Sequence, residues 1–152
     1  MFNYDVIEVS RYIIDYSNKM GYGCSYKKLQ PLLYFVQSYF LSLYEEACFK
    51  DDIIAKRNGP TVSRIEEVFG GYFSLKYNIF HDTPILSYAH EQIINDVIDK
   101  FADYAGSDLI TIIKHQAPWK IAYYDTKDKI ITHTNIKQYF CDTPLHETKI
   151  TF

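Results

Sequence analysis

The segment Lys28–Phe40, which reads KLQPLLYFVQSYF, decides the fold of this chain. Its apolar residues recur at helical spacing, and its aromatic side chains widen the apolar stripe over nearly the whole circumference of the helix. A helix with this pattern is buried on all sides, so other helices have to pack around it. We therefore predict a mainly α fold, a single compact multi-helix domain around a buried central helix at about residues 28–46.

Two glutamines and a proline interrupt the apolar surface of this central helix. Pro31 removes one backbone hydrogen bond and crowds the preceding turn, at a cost of about 3 kcal/mol, so we expect an irregular first turn. Gln30 and Gln37 lie about two turns apart on nearly one face of the helix. Buried amides need hydrogen-bond partners. Those partners are either backbone groups of a neighbouring loop, which we favour, or groups of a bound protein.

Helix caps, glycine stops and apolar periodicity predict the helices that surround the central one. Their expected bounds are residues 6–20, 62–69, 88–104, 108–115, 118–124 and about 133–141. Weaker patterns predict one further helical turn at residues 72–77 and a loop at residues 78–85. The residues from 142 onward are polar, so we expect one domain at residues 1–141 and a C-terminal tail at residues 142–152.

The segment that follows the central helix changes character. Its β-branched residues predict at most a short β segment near residues 52–56. Asn58–Thr61 is expected to form a fixed turn, because Gly59 permits a positive φ and Pro60 excludes a regular helix for the residue before it. We expect the groove between this turn and the central helix to matter for function.

The charge and composition of the chain favour a protein partner. The 152 residues carry a formal net charge of -3, and 15 of them are Tyr. A negative chain has no general affinity for nucleic acid or anionic membranes, so the cations Lys56, Arg57 and Arg64 are expected to form a solvated face. Tyrosine combines an apolar ring with a polar hydroxyl, which suits contact surfaces.

Nothing in the sequence predicts secretion or membrane insertion. The N-terminal residues MFNYDV lack the basic and apolar regions of a signal peptide, and no apolar run approaches the ~18–20 residues of a membrane span. Cys24, Cys48 and Cys141 are odd in number and far apart, so we expect reduced thiols. These features predict a cytoplasmic protein with no membrane partner.

No catalytic or metal-binding motif is evident. No two of the five His residues have the spacing of a zinc motif, and none stands at a ligand spacing from a Cys, so we predict no cofactor, no metal and no enzyme activity. His115 is the one histidine that we consider for a functional role, because it ends a helix shortly before Trp119. A structural role is the competing explanation, since a helix C-terminus favours a protonated imidazole. Trp119 is expected to be a core anchor, with a contact hot spot as the alternative.

Five segments carry, in order, the motifs of one known family. The family's central motif LKLQKLLYYAQ is similar to residues 28–37, where Leu, Gln and Tyr positions match one by one. The other segments resemble the family motifs VxxxAxYII, IxAWxxGPVV, THxExPW and IxxYF, and they lie at residues 9–14, 53–62, 114–119 and 136–140. The chain thus resembles the Panacea domain, the SocA-like or GepA-like antitoxin domain of toxin–antitoxin operons. It departs from the pattern at Pro31, at Lys56 and between His115 and Pro118.

The resemblance implies an antitoxin without catalytic activity. Such a protein neutralises a cognate toxin encoded beside it by direct protein–protein binding. Further partners that the resemblance suggests are a protease and the DNA of its own operon. The alternatives are a nucleic-acid-binding transcriptional regulator, a phage-associated interaction protein without a toxin partner, and an enzyme that uses His115. The oligomeric state stays open.

The groove and the family motifs together give the candidate partner-binding residues. These are Gln30, Tyr34, Gln37, Lys56, Asn58, Gly59, Pro60, His115 and Trp119. For each of them a purely structural role is the competing interpretation.

Overall fold

The computed structural model describes residues 2–72, 74–75 and 86–142. Within these ranges the chain forms seven helices and one three-stranded sheet. The helices are α1 (Val6–Lys19), α2 (Tyr26–Tyr44), α3 (Ser63–Phe69), α4 (Tyr88–Lys100), α5 (Gly106–Lys114), α6 (Ala117–Asp125) and α7 (His133–Asp142). The strands are β1 (Ile53–Lys56), β2 (Gly59–Thr61) and β3 (Ile130–Ile131).

Helix α2 is the centre of the fold. It contacts α1, α4, α5, α7 and the sheet. The residues from Leu29 to Ser38 are all buried, as are Phe40 and Leu41. Ser25 caps the helix by accepting a hydrogen bond from the Lys28 amide at 3.1 Å. The predicted mainly helical fold around a buried central helix is confirmed.

Pro31 lies inside α2 without ending the helix. A proline has no N–H, so it leaves the carbonyl oxygen of Lys27, four residues earlier, without its usual helical donor. Gly106 packs against this carbonyl so closely that an added Cβ would lie 2.8 Å from the oxygen. The proline therefore sits where α5 approaches α2 through a glycine backbone.

The sheet is larger than the short β segment predicted near residues 52–56. β1 pairs antiparallel with β2 on one side and with β3 on the other. Gly59–Thr61, predicted as part of a fixed turn, is strand β2, so only Arg57 and Asn58 connect the two strands of the hairpin. Pro60 fits there because β2 is an edge strand, where a residue without an N–H is tolerated.

The helix bounds follow the predictions with local differences. Ala105 is the N-cap of α5, and its amide donates to the Asp108 carboxylate at 3.1 Å, so α5 begins at Gly106, two residues before the predicted start. Thr132 caps α7 by accepting from the Asn135 amide at 3.1 Å, and α7 begins at His133, the predicted start. Residues 72, 74 and 75 of the predicted helical turn are described and are not helical. Residues 73, 76 and 77 of that turn, the predicted loop at residues 78–85 and residues 143–152 of the tail lie outside the described residues.

Within the described ranges, no helix combines the length and the apolar character that a membrane crossing requires.

Candidate partner-binding groove

A groove of about 590 Å³ lies between the first turns of α2, the β1–β2 hairpin and α5. We call it the hairpin groove. Its walls are Tyr26, Lys27, Gln30, Lys56, Arg57, Asn58, Pro60, Thr61, Glu66, Ser107, Ile110, Thr111 and Lys114. It therefore occupies the space between the central helix and the Gly59–Pro60 segment, where the sequence predicted a functional groove.

Gln30 fastens the hairpin to the central helix. Its side-chain Oε1 accepts from the Val62 amide at 2.9 Å, and its Nε2 donates to the Val62 carbonyl at 3.2 Å. The same Nε2 also lies 3.2 Å from the Tyr26 hydroxyl. A neutral amide suits this position because it both donates and accepts. The partners of Gln30 are thus loop backbone groups, as the favoured alternative expected.

Helix α5 closes the opposite wall of the groove. A Cβ on Gly59, whose φ is +119°, would lie 3.1 Å from the Ile110 side chain, so the hairpin and α5 are in close contact. The Lys114 ammonium donates to the backbone carbonyl of Arg57 at the hairpin tip. Gly106 gives the second close approach, to the first turn of α2. The groove is therefore bounded by elements that are packed directly on one another.

Positive charge dominates the groove lining. Lys27, Lys56, Arg57 and Lys114 face one carboxylate, that of Glu66. The Lys56 ammonium lies 3.2 Å from Glu66, but both side chains are about half exposed, so this pair contributes little to stability. An anionic group that enters the groove would meet cations from α2, from the hairpin and from α5.

Arg64, grouped in the sequence with Lys56 and Arg57, is occupied elsewhere. Its guanidinium lies 3.3 Å from the Asp5 carboxylate and 3.6 Å from that of Asp51. Asp5 is the N-cap of α1, so this arginine ties α3 to the start of the chain. The predicted basic run is therefore divided between the groove and a half-exposed ion pair of Arg64 with Asp5.

Gln37 and Tyr34 are buried behind the groove. Gln37 accepts from the Cys48 amide at 2.7 Å and donates to the Phe49 carbonyl at 2.9 Å. The Tyr34 hydroxyl donates to Oε1 of Gln116 at 2.7 Å, and burial raises the pKa of Tyr34. Both side chains hold loops against α2, and neither lines the groove.

His115 and Trp119 also lie outside the groove lining. His115 is exposed at the C-cap of α5, with Nδ1 2.7 Å from the Thr111 carbonyl oxygen. Trp119 is 4% exposed and stacks on Tyr123 with ring centroids 4.4 Å apart, which agrees with a core anchor. Among the described residues, its indole Nε1 has no hydrogen-bond partner.

Two of the three thiols, those of Cys24 and Cys48, are buried. Burial raises the pKa of the Cys24 thiol to about 12 and raises that of Cys48 as well, which suppresses the nucleophilic thiolate. No group of three or more His, Cys, Asp or Glu side chains that could hold a metal ion is present in the described ranges.

The contribution of α5 to the groove was not predicted. The residues concerned are Ser107, Ile110, Thr111 and Lys114, which recur at helical spacing opposite the apolar face of α5. Periodicity marks this face as the less buried one. It does not say that the face lies beside the hairpin, because that depends on the two glycine contacts described above.

One comparison with known proteins gives a match. The family model described as "Antitoxin SocA-like, Panacea domain" matches residues 29–120. The matched segment includes most of α2, the hairpin and all of α5, and hence every lining residue except Tyr26 and Lys27. No curated protein and no solved structure matches the chain.

Proposed function

The chain belongs to the SocA-like antitoxin family with a Panacea domain, and we propose that it neutralises a cognate toxin encoded beside it by direct protein–protein binding. The observation that carries this proposal is the hairpin groove, which lies almost wholly inside the segment matched by the family model. The volume of about 590 Å³ is large enough to receive several side chains of a partner.

The chemistry of the groove supports binding more than catalysis. Its walls offer ammonium and guanidinium groups, the Asn58 amide and the hydroxyls of Tyr26, Thr61, Ser107 and Thr111, and such groups recognise a partner by charge and hydrogen bonds. General acid–base chemistry needs a base within hydrogen-bond reach of a reacting group. His115, the histidine considered for such a role, is not part of the lining.

The candidate residues divide into two roles under this proposal. Lys56 and Asn58 contact the toxin under this proposal, because they line the groove and are not buried. The groove is held in shape by Gln30, Gly59 and the buried Pro60, and the core by Tyr34 and Gln37. Contact of His115 and Trp119 with the toxin stays a prediction, since both lie outside the groove lining.

Co-expression with the product of the adjacent gene tests the proposal. We expect the neighbouring product to arrest growth when it is expressed alone, and this chain to restore growth and to co-purify with it as a stable complex. A chain that leaves the arrest unchanged and forms no complex would overturn the proposal. The matched control is an unrelated helical protein expressed at the same level from the same vector.

A nucleic-acid-binding regulator is the second candidate, and the four cations of the groove are the observation that favours it. The net charge of -3 opposes it, because extended phosphate backbones need a continuous basic surface. Binding of the purified chain to its own operator DNA, measured by gel shift, would support this candidate if it occurred without the neighbouring protein.

A further inference from the structure

We propose that the hairpin groove binds an acidic segment of the partner protein, in which Asp and Glu side chains flank an apolar residue. This inference rests on the proposed antitoxin function and adds the chemistry of the partner segment. Three observations support it: groove cations that lack a carboxylate partner, their placement on three different walls, and the half-buried Ile110 in the lining.

Lys27 and Arg57 are available to a partner, whereas the Lys114 ammonium is bonded to the Arg57 carbonyl and lies 5.6 Å from the centre of the Trp119 ring. In the part of the chain that the structure describes, Lys27, Arg57 and Lys114 form no ion pair with a carboxylate. Lys56 has one such partner, Glu66, in a half-exposed pair that a stronger ligand can replace. In a chain with a net charge of -3, this groove is a local region of positive potential.

Each wall of the groove contributes its own cation. Lys27 comes from the first turn of α2, Arg57 from the hairpin tip and Lys114 from α5. The hydrogen bond from the Lys114 ammonium to the Arg57 carbonyl holds the hairpin tip against α5. The exposed Arg57 guanidinium can then form two parallel hydrogen bonds with one carboxylate, a geometry that favours arginine over lysine.

The surface between the cations is partly apolar. The half-buried Ile110 contributes an aliphatic side chain, Pro60 is a buried part of the lining, and Asn58 and Thr111 add polar groups. Pairing of an extra strand with β2 is hindered, because Pro60 has no N–H to donate and Gly59 faces Ile110 at close range. Recognition therefore runs through side chains, which suits an acidic segment with one apolar anchor.

The same features disfavour nucleic acid as the occupant. A phosphate backbone is bound along a track of many cations, and its affinity rises with the number of phosphates contacted. Arg64 would extend such a track along α3, but Asp5 and Asp51 neutralise it. The few cations that line the groove suit a short acidic peptide better than an extended phosphate backbone.

A peptide-binding measurement on the full chain tests the inference. The probe is a fluorescein-labelled peptide, Glu-Glu-Asp-Leu-Glu-Glu, followed by fluorescence anisotropy at low salt. The groove variant is Lys27→Glu/Arg57→Glu. The control variant is Lys120→Glu/Lys127→Glu, which changes the net charge equally at two exposed positions outside the groove.

We expect saturable binding that weakens by about tenfold or more in the groove variant and by less than about twofold in the control. Circular dichroism and thermal melting of both variants establish that each is folded. Absence of saturable binding, or equal weakening in both variants, would overturn the inference. So would tighter binding of an oligothymidylate of equal charge at the same groove.

The two proposals can fail separately. If the adjacent gene product forms a complex while the peptide does not bind, the acidic-segment inference falls and the antitoxin function stands. If the peptide binds at the groove while no complex forms with the adjacent product, the antitoxin proposal falls and the preference of the groove for acidic peptides stands.

Discussion

Gln30 and Val62 are joined by a reciprocal pair of hydrogen bonds, although 32 residues separate them in the chain. The Gln30 side chain bonds to both backbone groups of Val62, the N-cap of α3, whose carbonyl also accepts from the Ile65 and Glu66 amides. Buried backbone groups without hydrogen-bond partners are costly. Val62 lies just beyond strand β2, and the Gln30 side chain supplies the partner that a neighbouring strand would otherwise provide. This contact sets the distance between the central helix and the hairpin, and hence the width of the groove.

Replacing Gln30 with Met should destabilise the fold. The Gln30→Met side chain has a similar size but cannot bond to Val62, so the Val62 amide would lose its acceptor, whereas the Val62 carbonyl keeps the Ile65 and Glu66 amides as donors. We expect the free energy of unfolding to fall by about 1–3 kcal/mol in urea titrations. The control Gln92→Met, at an exposed position of α4, should change it by less than about 0.5 kcal/mol. Equal midpoints for Gln30→Met and wild type would contradict the role given to this amide.

A methyl group at Gly106 should force α5 away from α2. An added Cβ would lie 2.8 Å from the backbone of Lys27 and Lys28, which cannot rotate away as a side chain can. We expect Gly106→Ala to lower the free energy of unfolding by about 1–3 kcal/mol, as overpacking does. Ser107→Ala, at the next and exposed position, serves as the control. A stabilised Gly106→Ala protein would mean that the two helices do not pack as described.

The buried hydroxyl of Tyr34 should make the fold sensitive to alkali. Burial raises the pKa of Tyr34 in the folded chain, so its neutral form contributes stability that is complete below pH about 10 and is lost as the pH rises further. Tyr34→Phe should therefore show a shallower loss of unfolding free energy above pH 10, by up to about 1.4 kcal/mol per pH unit. Urea titrations from pH 9 to pH 11 measure this slope.

The same substitution should lower stability at pH 7, because Oε1 of the buried Gln116 loses its donor. The expected cost is about 1–3 kcal/mol. Tyr124→Phe is the matched control, since that ring is 72% exposed. Parallel pH slopes for Tyr34→Phe and wild type would contradict the contribution assigned to Tyr34.

The three thiols should differ in reactivity. Cys24 and Cys48 are buried with raised pKa values, whereas Cys141 is exposed on α7. Because the thiolate is the reactive form, we expect one fast-reacting thiol per native chain with Ellman's reagent at pH 8, and three after unfolding in guanidinium chloride. Cys141→Ser should remove the fast phase. Two or more fast thiols in the native chain would show that the core around α2 is open.

Local interactions explain why much of the fold could be predicted. Asp5, Ser25 and Thr132 each accept a hydrogen bond from an amide two or three residues later, so their capping roles can be read from the sequence. The burial of α2 follows equally from its own apolar pattern. The sequence favours backbone partners for Gln30 and Gln37, because a buried side-chain amide needs hydrogen bonds. Only the local sequence is needed for this expectation as well.

Contacts between distant segments explain what could not be predicted. Strand β2 contains Gly59 and Pro60, which disfavour strands, and it forms because β1 and the Gln30 amide hold it in place. The polar face of α5 becomes a wall of the groove through the contacts of Gly106 with Lys27 and of Gly59 with Ile110. The sequence around each glycine does not indicate which residue the glycine will contact. The inclusion of His115 and Trp119 among the candidate partner-binding residues rested on motif resemblance, and both lie outside the groove lining. Their contact with a toxin stays a prediction.

The most direct test of the central claim is the dissociation constant of the complex between this chain and the product of the adjacent gene, measured for wild type, Lys27→Glu/Arg57→Glu and Lys120→Glu/Lys127→Glu. We predict that the groove variant raises the dissociation constant by about tenfold or more, while the control stays within about twofold of wild type. Equal dissociation constants for all three proteins would contradict the claim that the hairpin groove is the surface that binds the toxin.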